Sequence, residues 1–271
     1  MLRNRMMRAA GYTRPQSSLL LDIYSGASAA YSLVKLRTTY AGSSLRVRRS
    51  SDSTEQDIGF SGSVLDTTTL LSFCGAGDGF VTKWYDQSSN MRDLVQITVS
   101  NQPKIVSGGV VEDGILFDGV SDSLYRNSEA AFSTMPMTII SRVKTISRLL
   151  YNVIYNYPTN GWTSGYGFYV EDGTNVKSWN GQYNDNNTGT VVPMSSSWVN
   201  VAQVFSSDFK TYVDGSLLAT DAIGAAYQSG AGLLQVANNG GGYASNIRFK
   251  HMIFFASDQA SNMTTLNGLL I

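Results

Sequence analysis

The sequence predicts an all-β protein folded as a two-sheet antiparallel sandwich of the jelly-roll type. A short N-terminal helix, a C-terminal helix and an extended N-terminal arm complete the predicted architecture. Only 15% of the 271 residues are charged, and 26 glycines far outnumber 5 prolines. Short runs with β-type alternation recur between turns rich in Gly and Asn. Turn pairs such as Asp172-Gly173 and Asp214-Gly215 supply the positive φ that tight hairpins need.

Residues 1–18 are predicted to form an arm, and 19–271 a single domain. The arm contains no acidic residue and ends in a Pro-Gln-Ser-Ser breaker. It is either a frayed terminus or a segment that attaches to a partner, with Arg and Met as adaptable contact residues. The residues proposed for that attachment are Arg3, Arg5, Met6, Met7, Arg8 and Arg14.

Within the domain, Gly26–Tyr40 is predicted to be a helix capped by Ser25, because its apolar residues recur broadly on one side. A second helix is expected over Ser257–Leu270, with one apolar face. The segments between them are predicted to be mainly strands. The predicted strands are Leu45–Arg49, Phe80–Tyr85, Gly114–Phe117, Met137–Lys144, Leu149–Tyr155, Gly165–Val170, Asn175–Trp179, Trp198–Phe205, Phe209–Val213 and Ile247–Phe255.

Charge and residue counts exclude several classes of protein. The formal net charge is zero, so a nucleic-acid-binding protein with one large basic surface is excluded. The zero net charge is a sum of two parts: residues 1–49 contain nine basic groups and one acid, and the rest of the chain is mildly acidic. One cysteine, Cys74, and one histidine, His251, exclude an intramolecular disulfide, a Cys-based zinc cluster and a multi-His site. Cys74 is expected to be a buried hydrophobe. No membrane insertion and no secretory signal are expected.

Two blocks of the first half carry a specific pattern: Tyr31–Tyr40 with Gly42, Arg46–Asp52 and Asp57-Ile58, and Trp84–Ser88 with Asn90 and Leu94. They resemble the catalytic domain of arabinofuranosidase B, glycoside hydrolase family 54. In the second half, Phe117-Asp118-Gly119 before Leu124, and Phe209–Gly215, are similar to the concanavalin A-like, laminin G-like group. The resemblance covers residues 19–271 and implies a jelly roll, which in this group binds glycans more often than it cleaves them.

The resemblance also implies where hydrolysis would occur. A retaining hydrolase needs a carboxylate nucleophile and a carboxylic acid about 5–5.5 Å apart. The nearest match to the family's nucleophile is Glu171, which the sequence pattern places in a hairpin turn. The loop that corresponds to the family's acid/base, Ala237–Gly242, contains no carboxylate, and an asparagine cannot shuttle a proton at a useful pKa. We therefore expect glycan binding rather than hydrolysis.

Residues 151–187 contain nine aromatic residues and eight asparagines among 37 positions. Flat rings and short amides complement the C–H faces and hydroxyls of sugars. The alternative is that strand aromatics fill the core and asparagines form turns. The predicted carbohydrate-binding residues, which include neighbours of the Asn238 loop, are Trp162, Tyr166, Tyr183, Asn184, Asp185, Asn238, Asn239 and Tyr243.

Two further patterns have a functional and a structural interpretation. Carboxylates near Asp118 and Asp122, or Asp185, have the oxygen ligands that calcium takes, but a plain polar turn is the favoured interpretation, and no cofactor is expected. Alternation places Arg46 and Arg48 on one strand face, where either a phosphate or the acids of residues 52–57 can pair with them. Internal pairing is favoured.

Three functions follow. The leading expectation is a non-catalytic bacteriophage virion protein, a tail or head fibre, spike or decoration, made in the host cytoplasm. It would hold other virion proteins through its arm, bind a host-surface glycan through its lectin-like domain, and form a homo-oligomer, with a trimer favoured. The second is an arabinofuranosidase-type glycoside hydrolase with Glu171 as nucleophile. The third is a purely structural capsid or tail component.

Overall fold

The computed structural model describes residues 18–127, 129–147, 151–158, 165–171, 175–180, 186–191, 197–223, 230–238 and 244–270. Its helices are α1 (Leu20–Ile23), α2 (Thr67–Cys74) and α3 (Met263–Leu269), and single 3-10 turns lie at Val99–Asn101, Ala130–Phe132 and Ala260–Asn262. The strands are β1 (Ala27–Ser32), β2 (Leu45–Arg49), β3 (Glu55–Ile58), β4 (Phe60–Ser61), β5 (Val64–Leu65), β6 (Gly79–Trp84), β7 (Leu94–Val95), β8 (Lys104–Ser107), β9 (Val110–Asp118), β10 (Leu124–Arg126), β11 (Met137–Thr145), β12 (Tyr151–Pro158), β13 (Gly165–Glu171), β14 (Asn175–Asn180), β15 (Asn186–Val191), β16 (Val199–Phe205), β17 (Phe209–Val213), β18 (Ser216–Asp221), β19 (Leu234–Val236) and β20 (Asn246–Phe255).

Antiparallel pairing arranges eighteen of these strands in two layers, and β4 and β5 pair as a separate two-stranded sheet. The first layer runs in the order β3-β2-β6-β8-β9-β20-β11-β16-β17-β18, and β1 continues the edge of β20 beyond β9. The second runs β7-β10-β19-β12-β13-β14-β15. Strand β6 joins them, since its first half pairs with β8 and its last two residues pair with β7. The predicted all-β sandwich is confirmed.

Aromatic side chains fill the space between the layers. Tyr155 of the second layer lies with its ring centroid 6.5 Å from that of Phe254 in the first. Tyr166 and Phe205 make an equivalent contact at 5.2 Å. All four side chains are at most 2% exposed. Rings of this size bury large apolar areas, so these contacts across the layers contribute strongly to the stability of the sandwich.

A second apolar cluster lies on the outer face of the first layer. Helices α1 and α3 cover strands β1, β11, β16 and β20 there. Leu266 of α3 is fully buried, and Ile140, Val204 and Ile253 belong to the same cluster. The predicted apolar face of the C-terminal helix is confirmed, although the α-helix begins at Met263 because a 3-10 turn precedes it.

The strands predicted from alternation in the second half of the chain are also observed, with ends shifted by up to about three residues. The turn between β17 and β18 has φ angles of 45° at Asp214 and 80° at Gly215, as its residue pair predicts. Helix α2 was missed by the sequence analysis, although Asp66 caps it by accepting a hydrogen bond from the Thr69 amide at 3.0 Å. The predicted burial of Cys74, the last residue of α2, is confirmed.

The predicted helix over Gly26–Tyr40 is wrong. Its first part, Ala27–Ser32, forms strand β1, and all six residues are buried. The short N-terminal helix of the molecule is instead α1, immediately upstream. Within the described residues, no helix is long and apolar enough to cross a membrane.

Strand β1 forms because both of its edges find partners. One edge pairs antiparallel with β20. Along the other, Asp86 accepts a hydrogen bond from the Ala30 amide at 2.8 Å, and the Gln87 amide donates to the Ala30 carbonyl at 2.7 Å. The Gln87 side chain accepts from the Leu36 amide at 2.8 Å and donates to the Ser32 carbonyl at 3.0 Å. Tertiary pairing therefore overrides the helix propensity of this alanine-rich segment.

Candidate functional site

The aromatic strands β12 and β13 turn one set of side chains into the core. Tyr155, Tyr157, Tyr166 and Phe168 are at most 1% exposed. The Tyr166 hydroxyl donates to the Phe132 carbonyl at 2.6 Å. Its prediction as a carbohydrate-binding residue is therefore corrected: burial between the sheets satisfies both its ring and its hydroxyl, as the alternative interpretation of the strand aromatics proposed.

The opposite face of the same sheet carries a row of residues of a different kind. Gln235 of β19 pairs with Asn156 of β12, which pairs with Gly167 of β13, which in turn pairs with Trp179 of β14. Directly paired residues of antiparallel strands share a face. The register thus places these four positions side by side across β19, β12, β13 and β14, on the outer face of the second layer. We call this row the amide row.

Within the amide row, Asn156 has an unsatisfied group. The residue is 5% exposed, and its Nδ2 has no hydrogen-bond partner among the described residues. A Cβ atom at Gly167 would lie 3.1 Å from Asn156 Oδ1, so a glycine there leaves this amide room. Because an unpaired buried amide costs free energy, a ligand that accepts a hydrogen bond from Asn156 would be favoured.

Strand β13 also carries Glu171 on this outer face. Its register with β14 runs without a bulge from Tyr166 to Glu171, so Glu171 has the same parity as Gly167. Four residues of strand separate the two backbones by about 13 Å. The predicted hairpin-turn position of Glu171 is corrected, since it is the last residue of β13 and pairs with Tyr151 and Asn175.

Asn238 lies just beyond the end of β19, an interior strand of the same sheet. It forms an isolated bridge with Ala244. The adjacent Ala237 donates its amide to the Ile154 carbonyl at 3.1 Å, and Ser245 Oγ donates to the Val153 carbonyl at 2.7 Å. These bonds fix the two ends of the Asn238 loop against β12. The other predicted binding residues and the arm residues lie outside the described residues; they are Trp162, Tyr183, Asn184, Asp185, Asn239, Tyr243, Arg3, Arg5, Met6, Met7, Arg8 and Arg14.

Within the block Trp84–Ser88, which carries the family resemblance, Asp86 and Gln87 hold backbone groups of neighbouring segments. Besides the Ala30 amide, Asp86 accepts from the Ser88 amide at 2.8 Å, the Ser88 hydroxyl at 2.7 Å and the Arg92 amide at 2.9 Å. With its oxygens engaged in four hydrogen bonds, Asp86 organises a loop against β1.

His251 is not available as a catalytic base. It is 4% exposed, and its Nδ1 lies 2.7 Å from Ser32 Oγ. Burial, with Arg142 and Lys250 nearby, lowers the pKa of His251 to about 3. The imidazole is therefore a neutral core group near neutrality.

The proposed calcium carboxylates form the predicted polar turn. Asp118 Oδ1 accepts from the amides of Val120 at 2.8 Å, Ser121 at 3.1 Å and Asp122 at 3.2 Å. Asp122 Oδ2 accepts from the Asp118 amide at 3.0 Å. Among the described residues, no group of three or more His, Cys, Asp or Glu side chains is placed to hold a metal ion.

The sequence analysis missed the amide row, although a signal was present. In Tyr155-Asn156-Tyr157 and Tyr166-Gly167-Phe168, aromatics alternate with Asn and Gly. Period-two alternation assigns the aromatics to one face and the small polar residues to the other. Only the register shows that these polar positions are neighbours across strands.

A model of the family described as "Alpha-L-arabinofuranosidase B, catalytic" matches residues 21–132. This stretch ends before β13, so Glu171 lies outside it. No curated protein matches the chain.

Solved structures share the fold at low sequence identity. A GH54 α-L-arabinofuranosidase soaked with a cyclic sulfate inhibitor matches with a TM-score of 0.69 and 14% identity, over 90% of this chain and 62% of that chain. An arabinofuranosidase complexed with arabinofuranosyl-α-1,2-xylobiose matches with a TM-score of 0.66 and 16% identity, again over 90% and 62%. Trypanosoma rangeli sialidase matches with a TM-score of 0.53 and 16% identity, over 69% of this chain and 30% of that chain. The chain thus spans about 62% of the length of the arabinofuranosidases it matches.

Proposed function

We propose that this chain is a carbohydrate-active β-sandwich that acts on arabinofuranosyl-type glycans as a glycoside hydrolase. The observation that carries the proposal is the register of β13, which puts Glu171 on the same sheet face as the amide row. The family match over residues 21–132 and the shared fold of arabinofuranosidase structures support the substrate class.

The chemistry assigned to this face uses each group in a definite way. Trp179 and the amides of Asn156 and Gln235 would hold sugar rings through C–H stacking and hydroxyl hydrogen bonds. Glu171 would act as the nucleophile: its carboxylate would bond to the anomeric carbon as the glycosidic C–O bond breaks, and the departing oxygen would take a proton from water. A second water would then hydrolyse the glycosyl-enzyme ester and release the sugar and the free Glu171 carboxylate. A ligand reaching from the amide row to Glu171 would contain more than one sugar unit.

The test is hydrolysis of 4-nitrophenyl α-L-arabinofuranoside by the wild-type chain and by Glu171→Gln. We expect turnover by the wild type and a loss of about 10³-fold or more in kcat for the variant, because an amide cannot serve as nucleophile. Asp172→Asn, which changes the adjacent carboxylate in the sequence, is the matched control and should retain activity. Equal activity of Glu171→Gln and the wild type would refute the assignment.

A second candidate is glycan binding without hydrolysis, and the absence of a carboxylate from Ala237–Gly242 favours it. In this case the biological context we propose is a bacteriophage virion, with the arm of residues 1–18 held by other virion proteins and the chain displayed as a trimer. Retained binding to an arabinofuranosyl array with no turnover would support this candidate. If neither binding nor turnover occurs, and virion assembly fails without residues 1–18, a purely structural role is the remaining explanation.

A further inference from the structure

A second row of residues crosses the outer face of the first layer, on the opposite sheet from Glu171. Arg48 of β2 pairs with Phe80 of β6, Phe80 with Lys104 of β8, and Lys104 with Leu116 of β9. Paired residues share a face, so the row alternates cationic and apolar side chains across four strands. We call it the Arg48 row.

The Arg48 row is the floor of a cleft of about 500 Å³. One wall contains Val99, Ser100 and Gln102, and the other contains Asp118 and Asp122. The two walls are tied together by hydrogen bonds, since Ser121 Oγ donates to the Ser100 carbonyl at 3.3 Å and the Ser123 amide donates to the Asn101 carbonyl at 3.0 Å. A volume of this size is within the usual range for small-molecule sites.

Arg48 is held in this cleft without a counter-ion from the part of the chain that the structure describes. It is 7% exposed, its Nε donates to Gln102 Oε1 at 2.7 Å, and its guanidinium lies 4.6 Å from the centroid of the Phe80 ring. Gln102 is itself fixed, because its Nε2 donates to the Gln96 carbonyl at 3.1 Å. Lys104, by contrast, pairs with Asp78 at 2.7 Å.

The terminal nitrogens of Arg48 have no hydrogen-bond partner among the residues that the structure describes, and the residue lines the cleft. A largely buried guanidinium without an anion is unfavourable, because desolvation is not repaid by pairing. Its planar fork matches the two oxygens of a carboxylate. Arg48 therefore favours binding of an anion that the described residues do not supply.

The opposite wall limits what kind of anion fits. Asp118 and Asp122 present carboxyl oxygens that can accept hydroxyl hydrogen bonds but would repel a doubly charged phosphate. Burial, together with Asp118, raises the pKa of Asp122 to about 7, so this carboxyl adds little negative charge below neutrality. A monoanionic polyol suits this wall better than a phosphate.

The loops beside the cleft supply apolar contact. Ile97 is 79% exposed, Val99 is 59% exposed and Val120 is 77% exposed. Val99 lines the cleft, and Ile97 and Val120 lie within two residues of lining residues along the chain. Exposed apolar groups beside a floor of cationic and apolar side chains complement a ligand that has both C–H faces and polar groups.

We propose that this cleft binds a sugar unit of the uronic-acid class, with Arg48 receiving its carboxylate and the Asp118–Asp122 wall receiving its hydroxyls. The site is independent of the proposed hydrolase face, because it lies on the other layer of the sandwich. It would hold an acidic sugar of a polysaccharide, whether or not Glu171 cleaves a glycan.

The test is calorimetric titration of the full chain at pH 6 with digalacturonate and with its neutral methyl ester. We expect binding of the acid and at least about ten-fold weaker binding of the ester. Arg48→Gln should weaken binding of the acid by roughly 10- to 100-fold, which is the effect of losing hydrogen bonds to a charged group.

Arg46→Gln is the matched control, since Arg46 lies on the same strand but pairs with Glu55 at 2.6 Å, away from the cleft. It should leave the affinity unchanged. Equal binding of acid and ester, no binding of digalacturonate, or an unaffected Arg48→Gln would each overturn the proposal. If Arg48→Gln does not fold, amide chemical shifts of the wild type decide: the acid must perturb residues 99–102 and 118–122, and perturbations confined to other regions refute the site.

Discussion

Neighbouring arginines on one strand can have quite different roles, as Arg46, Arg48 and Arg49 of β2 show. The internal pairing favoured for Arg46 and Arg48 is confirmed for Arg46, which pairs with Glu55 and Asp57, but not for Arg48 among the described residues. Arg49 pairs with Asp52. Such exposed pairs contribute little to stability, because water screens them. Arg48, which has the same charge, is buried against Phe80 and an amide. Alternation predicts which residues share a face, but it does not predict which of them find an acid.

The buried His251 makes stability depend on pH. Its pKa is lowered to about 3 in the folded protein from an ordinary 6.5, so the unfolded chain binds the proton more tightly. Stability is therefore complete above pH 6.5 and is lost as the pH falls toward 3. Between pH 7 and pH 5 we expect this group to lower the free energy of unfolding by about 2 kcal/mol.

His251→Gln should remove that part of the pH dependence, because glutamine does not titrate and can still hydrogen-bond to Ser32. Urea unfolding of wild type and variant at pH 5 and pH 7 measures the difference. The same loss of stability in both proteins would show that other groups cause it.

At the scale of secondary structure, the longer strands could be predicted from alternation, whereas β1 could not. An Ala-rich segment has high helix propensity, and the partners that make it a strand lie some 55 and 225 residues away along the chain. The amide row and the Arg48 row could not be predicted from the sequence for the same reason. Each requires the register of four strands, which a local pattern does not contain.

Asp86 offers a test of how β1 is held. Asp86→Asn replaces one acceptor oxygen by a donor group in a buried site where Asp86 accepts four hydrogen bonds. We expect a loss of about 3 kcal/mol in the free energy of unfolding. Amide exchange should accelerate at Ala30 and at Leu36 before the rest of the sheet.

Asp52→Asn is the control for Asp86→Asn. It removes an exposed ion pair with Arg49 and should cost far less stability than Asp86→Asn, because water screens the pair. A similar cost for both variants would contradict the structural role assigned to Asp86.

At the scale of the whole molecule, two apolar clusters share the first layer, one on each of its faces. Strand β20 contributes to both, since Phe254 belongs to the cluster between the layers and Ile253 to the outer one. Because one sheet packs against both clusters, disruption of one cluster should also destabilise the other. The structure therefore agrees with unfolding of the sandwich and its helices as one unit.

Leu266→Ala measures that coupling. Removing a fully buried leucine from α3 should cost about 2–5 kcal/mol. If the molecule is one cooperative unit, circular dichroism in the far and near ultraviolet should still report a single, coincident transition at a lower temperature. An early transition that affects only helical signal would show that α3 unfolds by itself.

The end of the first layer has a consequence for self-association. Among the described strands, β3 pairs with β2 alone, which leaves its other backbone edge open to a strand of another molecule. This edge carries Glu55 and Asp57 within four residues. Two copies meeting there would bring four carboxylates together, and the single Arg46 of each copy balances only one of its two acids. We therefore expect Glu55 and Asp57 to disfavour edge-to-edge pairing of copies through β3.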